Sequence, residues 1–199
     1  MESGFRSLSA IFCADFGDKL PCFSYKMSSD EVKSNPRYDA LVTELKKFRR
    51  LYSKWEGVAF RAAPLEFARL TKLLDGKGNL KIGGRWLAAG TFRAVNLSVT
   101  QETAVKESNG NFTYYNFALS DVKPKVVVGV QMKLHRVIDL TNPIGIRAQP
   151  WLSLAELLAE DWRKVNDAGH ESQSQAFGRA AHDAGAKPCW FRPRASGAG

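Results

Sequence analysis

The chain contains 199 residues, 44% hydrophobic and 25% charged, which suffices for one domain with a real core and excludes a wholly disordered or collagen-like chain. No apolar segment approaches the roughly 18 residues that a membrane-spanning helix needs. Because 29 Lys and Arg outweigh 20 Asp and Glu, the net charge is +9, which favours anionic partners such as nucleic acid, phosphorylated small molecules or acidic proteins.

The cysteines do not suggest a metal site or a disulfide framework. Cys13, Cys22 and Cys189 are odd in number and lie at no zinc-binding spacing with a histidine. No metal is therefore expected. Asp15 and Asp18 interrupt the apolar residues near the N-terminus, which makes this segment a poor signal peptide. A reducing cytoplasm is the simplest predicted compartment.

The first half of the chain is predicted to contain one amphipathic helix followed by short elements. Residues 1–35 show no clear periodicity and are interpreted as a loosely ordered leader. Apolar residues then recur at spacings of three and four from Tyr38 to Trp55, which predicts a helix that ends at Gly57. The next predicted elements are a strand over 58–61, a short helix or turn over 65–74, a turn over 75–79 and a strand over 91–98.

The second half interleaves strands and helices irregularly, which favours an α+β fold over a doubly wound sheet. Ser153 and Glu156 have capping-box spacing, and Gly185 is typical of a helix end. The predicted elements are a helix over 100–106, a loop over 109–111, strands over 112–118 and 125–134, a continuation or neighbouring strand over 135–140, and helices over 151–162 and 174–184.

Several short motifs stand in a fixed order along the chain, although none of the common nucleotide-loop, serine-hydrolase or zinc-protease motifs occurs. They are Phe60-Arg61, Gly83-Gly84-Arg85-Trp86 followed by Gly90, Ala104-Val105-Lys106-Glu107, Asp139-Leu140-Thr141-Asn142 and Gln175-Ala176-Phe177-Gly178. In this order and spacing the chain resembles the RES domain, the toxin half of RES–Xre toxin–antitoxin systems. The resemblance covers roughly residues 58–185.

The resemblance implies three segments and an activity. Residues 1–57 would be a leader with its amphipathic helix, 58–185 the RES-like domain and 186–199 an aberrant tail. The implied core is a mixed or antiparallel sheet with flanking helices, as in ADP-ribosyltransferases. The implied substrate is NAD⁺, split at the nicotinamide–ribose bond, with water, phosphate or a protein side chain as the acceptor. The implied partner is an Xre-like antitoxin.

The resemblance also implies roles for individual residues. Glu107 would stabilise the positive charge that develops on the ribose when the bond breaks. Arg61 and Arg85 would bind the pyrophosphate, which suits planar donors with a permanent charge. Trp86 offers an aromatic ring for stacking, and Gly84 would let the backbone approach the ligand.

Two departures from the family put activity in question. Asn96 stands eleven residues before Glu107, where the family has a tyrosine, and an amide cannot stack on nicotinamide. The tail lacks the family strand that ends in Pro-Ser-Ala-Arg, whose serine belongs to the active site. Ser196 lies in a Gly/Ala stretch and is not its equivalent.

The tail has the pattern expected of a frame-shifted end of a RES domain. When Lys187–Arg194 is back-translated with GC-rich codons and read from the third base, it gives Ala-Leu-Leu-Val-Pro-Ser-Ala, which matches the family strand. Sequencing of the gene tests this hypothesis, because the other frame must then restore the serine motif and a downstream strand.

The sequence leaves three functions open: a RES-family NAD⁺-cleaving toxin, a catalytically inactive RES-like protein that acts through protein interaction, and a basic nucleic-acid-binding module. The third is the weakest, because the basic residues of the Lys46–Lys54 region form no clustered patch with interleaved aromatics. Homo-oligomerisation also remains open.

Overall fold

The computed structural model describes residues 9–13, 32–118, 122–186 and 188–191. Its strands are β1 (Ser9–Cys13), β2 (Ser53–Pro64), β3 (Ala94–Ser98), β4 (Lys125–Asp139) and β5 (Pro188–Phe191). Its helices are α1 (Tyr38–Lys47), α2 (Leu70–Leu73), α3 (Lys77–Ile82), α4 (Gln101–Ser108), α5 (Gly110–Tyr114), α6 (Leu154–Ala159), α7 (Trp162–Asp167) and α8 (Gln173–Asp183). This mixture confirms the predicted α+β class.

The sheet is built around a long antiparallel ribbon of β2 and β4. Their register runs from Ser53 opposite Val137 to Pro64 opposite Lys125. Strand β3 joins the other edge of β2 at Phe60 opposite Ser98. Strand β1 pairs antiparallel with β3 and β5, and β5 runs parallel to β4, so the sheet closes on itself.

One face of this sheet is apolar and buried. Ala59 on β2, Val95 and Leu97 on β3 and Val137 on β4 form one buried cluster. Because side chains alternate along a strand, Arg61 points to the same face of β2 as Ala59. A cationic side chain therefore lies at the margin of an apolar layer.

A second core lies between α1 and α8. Leu41 and Leu45 of α1 pack in the same buried cluster as Phe177 and Ala180 of α8. The segment before residue 58 thus shares a core with α8, the last helix among the described residues, and the boundary predicted after residue 57 falls inside β2. Most of the predicted leader lies outside the described residues.

The helix predicted from Tyr38 to Trp55 is too long. Helix α1 ends at Lys47, a 3-10 turn covers 49–51, and Trp55 pairs with Leu134 in β4. The backbone hydrogen bonds of the long ribbon replace those that a continued helix would have formed. The basic helix of the nucleic-acid alternative is absent from this part of the chain for the same reason.

Three further predictions are wrong. Residues 112–118 do not form a strand, because local bonds such as Thr113 N–H to Asn109 O (3.1 Å) build α5 there instead. The helix predicted over 151–162 is broken in two, since Glu160 has extended backbone angles and Asp161 begins α7 with a cap on the Arg163 N–H. The turn predicted over 75–79 ends earlier than expected, because α3 begins at Lys77.

Several sequence signals for the start or end of a helix are confirmed. The Thr100 hydroxyl accepts from the Thr103 N–H at 3.2 Å and starts α4. The Ser153 hydroxyl accepts from the Glu156 N–H at 3.3 Å and starts α6. Gly185, with φ of +81°, follows α8. Among the described residues, no helix is both long and apolar enough to cross a bilayer.

The start of the C-terminal tail is a strand, contrary to expectation. Pro188–Phe191 forms β5, which pairs with β1 and with the Ile138–Asp139 end of β4. Strand β4 continues for two residues, Ile138 and Asp139, beyond Val137, which pairs with Ser53 of β2. These two residues pair with β5. Residues 192–199 lie outside the described part of the chain.

Candidate functional site

Arg61 is a predicted site residue whose charge is only partly compensated. One guanidinium nitrogen, Nη1, donates to the backbone carbonyl of Asn96 at 3.1 Å, whereas the buried Nε has no hydrogen-bond partner. Among the described residues it forms no salt bridge within 4 Å. Burial lowers the pKa of Arg61, and the charge of Asp75 opposes this effect only in part. A half-buried guanidinium with an unused donor favours an anionic ligand.

Asn96, on β3, lies next to Arg61, on β2, because the Arg61 guanidinium donates to the Asn96 carbonyl. The structure thus brings these two predicted residues together. Its side chain is exposed, and Oδ1 accepts from Asn79 Nδ2 at 3.0 Å. The same Asn79 amide donates to the carbonyl of Ala94 at 2.8 Å. Asn79 was not predicted as a site residue, because α3 was expected to be a turn and no periodic signal marked this position.

Glu107 occupies the last turn of α4, which lies against the sheet. Thr103 and Ala104 are buried beneath the helix, and helical spacing places Glu107 near the same side. The side chain of Glu107 is nevertheless exposed. Within the described chain it makes no hydrogen bond or ion pair, so its carboxylate is available to a ligand.

Lys125 ties the C-terminal end of α4 to the sheet. Its Nζ donates to the backbone carbonyl and the hydroxyl of Ser108, both at 2.8 Å, and to Oδ1 of Asn109. Burial lowers the pKa of Lys125, while a positive charge at a helix C-terminus is electrostatically favourable. This clamp sits next to Glu107. It escaped sequence analysis because nothing local links residue 125 to residue 108.

Arg85 is directed at the end of α6. Its Nη1 lies 3.3 Å from the carbonyl of Leu157, 3.4 Å from that of Leu158 and 3.1 Å from that of Glu160. These carbonyls have no partner within the helix, so a cation stabilises them. The observed contacts give Arg85 a capping role, and its binding of pyrophosphate stays a prediction.

Removal of this cap should destabilise the protein. We expect Arg85→Met to lower the free energy of unfolding by about 2 kcal/mol, because partly buried carbonyls lose a charged donor. Urea unfolding measures the change. Arg50→Met, which alters an exposed arginine, should stay within about 0.5 kcal/mol of wild type. Equal stability of both variants would contradict the capping role.

Trp86 and Gly84 differ in their accessibility. Trp86 is only 6% exposed and packs edge-on against Phe177, with ring centroids 6.4 Å apart. The structure thus gives it a place in the core, and stacking on a ligand stays a prediction. A Cβ on Gly84 would meet nothing within 4 Å, so this backbone borders open space. It is Gly83, with φ of +77°, that needs to be glycine here.

A tyrosine side chain joins α5 to the start of α7. The Tyr114 hydroxyl, on α5 directly after α4, donates to Asp161 at 2.9 Å. Asp161 follows Glu160, the residue whose carbonyl Arg85 contacts. Arg61 is hydrogen-bonded to Asn96, whereas the hydrogen bonds of Arg85 lead to the end of α6. In the described residues, no group of three or more His, Cys, Asp or Glu is placed to hold a metal ion.

Comparison with protein-family models matches residues 58–190 to the RES domain. The match covers the strand with Arg61, the Gly83–Trp86 motif, α4 with Glu107, α8 and most of β5. No curated protein and no solved structure matches the chain.

Proposed function

Since this chain belongs to the RES domain family, we propose that it is a toxin-like enzyme that binds NAD⁺ and cleaves its nicotinamide–ribose bond. The substrate is a dinucleotide with two phosphates and a positively charged pyridinium ring. Its recognition needs a cation for the phosphates and a carboxylate near the ribose. Arg61 and Glu107 are suited to these two tasks.

The observation that carries the proposal is the state of Arg61. Its Nε is buried without a partner, and burial already disfavours its charge. A phosphate oxygen at the exposed end of the guanidinium would supply the missing negative charge, and such charge-assisted bonds are among the strongest that a side chain makes. Because burial disfavours the charge of Arg61, an anion beside the guanidinium gains affinity by compensating that charge.

Glu107 supplies the chemistry. When the bond between C1′ and the ring nitrogen breaks, the electron pair leaves with the nitrogen and nicotinamide departs as a neutral molecule. The ribose carries the positive charge until an acceptor forms a new bond to C1′. A carboxylate held near C1′ stabilises this charge most strongly in the transition state. The three Lys125 bonds at the end of α4 limit movement of the turn that carries Glu107.

Incubation of the purified full chain with NAD⁺ tests the proposal, with release of free nicotinamide followed by chromatography. We expect wild type to release nicotinamide and Glu107→Gln to release it at least about 100-fold more slowly, since the neutral amide cannot stabilise the cation. Arg61→Met should weaken NAD⁺ binding, measured by calorimetry.

Glu102→Gln provides the matched control, because Glu102 is an exposed carboxylate in the first turn of the same helix. It should leave the rate unchanged. If wild type releases no nicotinamide, the proposed activity is wrong. If Glu102→Gln slows the reaction as much as Glu107→Gln, the role of Glu107 is wrong.

A specific observation favours a second candidate, a RES-like protein that has lost catalysis. The amide oxygen of Asn96 is engaged by Asn79 at the position where the family has a stacking tyrosine. NAD⁺ binding without nicotinamide release, even after Asn96→Tyr and repair of the tail to the family strand, would support this candidate.

The proposed partner is an Xre-like antitoxin that blocks the site. A protein segment with an acidic side chain or terminal carboxylate could satisfy Arg61 in place of phosphate. Such a partner would compete with NAD⁺, and Arg61→Met would weaken both interactions.

A further inference from the structure

Three aromatic side chains lie together on the surface after α4. Tyr114 is 40% exposed, Tyr115 54% and Phe117 57%. Single exposed apolar residues are common, but neighbouring aromatic rings that are all half exposed more often mark a binding site. Neither phosphate binding by Arg61 nor the chemistry of Glu107 uses Tyr115 or Phe117.

Tyr114 anchors this aromatic cluster (Tyr114, Tyr115 and Phe117). Its hydroxyl donates to Asp161 at 2.9 Å, and the guanidinium of Arg163 lies 4.3 Å from the centre of its ring. The hydrogen bond to Asp161 raises the pKa of Tyr114. One end and one face of the ring are thus held by α7.

The other two rings are placed by a turn. Tyr115 meets Tyr114 edge-on, with ring centroids 4.9 Å apart and planes at 87°. Asn116 has a φ of +53°, a left-handed conformation that asparagine tolerates better than most residues. Phe117 consequently returns to within 5.8 Å of Tyr115, with the ring planes 36° apart. Contacts between the rings restrict their rotation, which reduces the conformational entropy lost on binding.

We infer that Tyr115 and Phe117 form a stacking surface for a planar heterocyclic ring of a nucleotide. The inference rests on the proposed function, in which that nucleotide is NAD⁺. Aromatic faces attract flat heterocycles by stacking and cationic rings by electrostatics. Both rings of NAD⁺, the neutral adenine and the positively charged nicotinamide, satisfy this requirement.

The position of the aromatic cluster agrees with this use. Helix α5 begins two residues after the last residue of α4 by way of Asn109, so the cluster comes soon after the helix that carries Glu107. Asn96 cannot offer a stacking face on β3. The aromatic cluster offers the stacking faces that position 96 lacks.

The experiment measures the affinity of the full chain for NAD⁺ by calorimetry. We expect Tyr115→Ala and Phe117→Ala each to weaken binding by about 10-fold, the loss of one stacking contact. Tyr115→Phe should retain most of the affinity, because it keeps the ring. Ile144→Ala removes an 81% exposed side chain elsewhere and should change nothing. Urea unfolding verifies that the variants are folded.

Two fragments identify which ring is bound. If the alanine variants weaken the binding of AMP, the surface binds adenine. If they weaken the binding of nicotinamide mononucleotide, the surface binds the pyridinium ring. Failure of wild type to bind NAD⁺ would overturn the proposed function and this inference together. Normal NAD⁺ binding by both alanine variants would overturn the stacking surface alone.

Discussion

Replacement of Gly178 by alanine is expected to lower the free energy of unfolding by about 3 kcal/mol. A Cβ at this position would overlap the carbonyl oxygen of Trp86 and lie 2.8 Å from its carbonyl carbon. The obstacle is backbone, so it cannot rotate away. Helix α8 would have to move off the Gly83–Trp86 segment, and the contact between Trp86 and Phe177 would open.

The sign of this effect is informative. Alanine in place of glycine inside a helix ordinarily stabilises by up to about 1 kcal/mol. Gly78 in α3 serves as the control, since a Cβ there would meet nothing within 4 Å. Urea unfolding should therefore show Gly78→Ala equal to or more stable than wild type and Gly178→Ala much less stable. Equal stability of the two variants would show that α8 and Trp86 are not in such close contact.

The contact matters for the site because it positions the family motif. Gln175, one turn before Gly178, donates from Nε2 to the carbonyl of Gly84 at 2.9 Å. Together the two contacts hold Gly84 and Trp86 against α8 while Arg85 reaches α6. The small residue at 178 is thus required by a close helix–backbone approach, which explains why the Gln175–Gly178 motif accompanies the Gly83–Trp86 motif.

The second large effect is expected at the ion pair between Glu171 and Arg179. Arg179 donates to both carboxylate oxygens, at 2.7 and 2.6 Å, and the Glu171 side chain is only 4% exposed. Arg179→Met would leave a buried carboxylate without its cation and should cost about 3–5 kcal/mol of unfolding free energy. The Asn35 N–H also donates to this carboxylate, at 3.0 Å.

Guanidinium chloride would screen this pair, so urea is the denaturant of choice. Lys133→Met is the matched control, because the Lys133–Glu56 pair is exposed (67% and 59%) although its ions are only 3.1 Å apart. We expect that variant to lose no more than about 1 kcal/mol. A loss of the same small size for Arg179→Met would mean that the Glu171 carboxylate does not depend on its partner.

The ion pair also determines how residues 33–38 join the fold. Arg179 donates to the Ser34 hydroxyl at 2.7 Å and covers the ring of Tyr38 at 3.4 Å. The backbone of Lys33 forms an isolated parallel β-bridge with that of His170, the residue before Glu171. Loss of Arg179 should therefore increase hydrogen exchange of the 33–38 amides as well as lower global stability.

The sequence by itself was enough for features that depend on neighbouring residues. The caps of α4 and α6, the end of α8 at Gly185 and the apolar strand within β4 all lie within a few residues of their signals, so local pattern predicts them. The order of short motifs was likewise enough to identify the RES family. Arg61 and Asn96 could be named as candidate site residues for that reason.

Only the tertiary structure decided which partners those residues have. The helix from Tyr38 is shorter than predicted because Trp55 pairs with Leu134 in the sheet. The strand predicted over 112–118 is replaced by the end of α5 and a turn. Arg85 and Glu160 are 75 positions apart, and Lys125 reaches back 17 positions to Ser108. Such contacts depend on how whole elements pack, which short-range periodicity does not encode. Hence the sequence shows which charged groups are present. Which hydrogen-bond and ion-pair partners each of them has depends on the fold, and so does the lack of a partner for the buried Nε of Arg61.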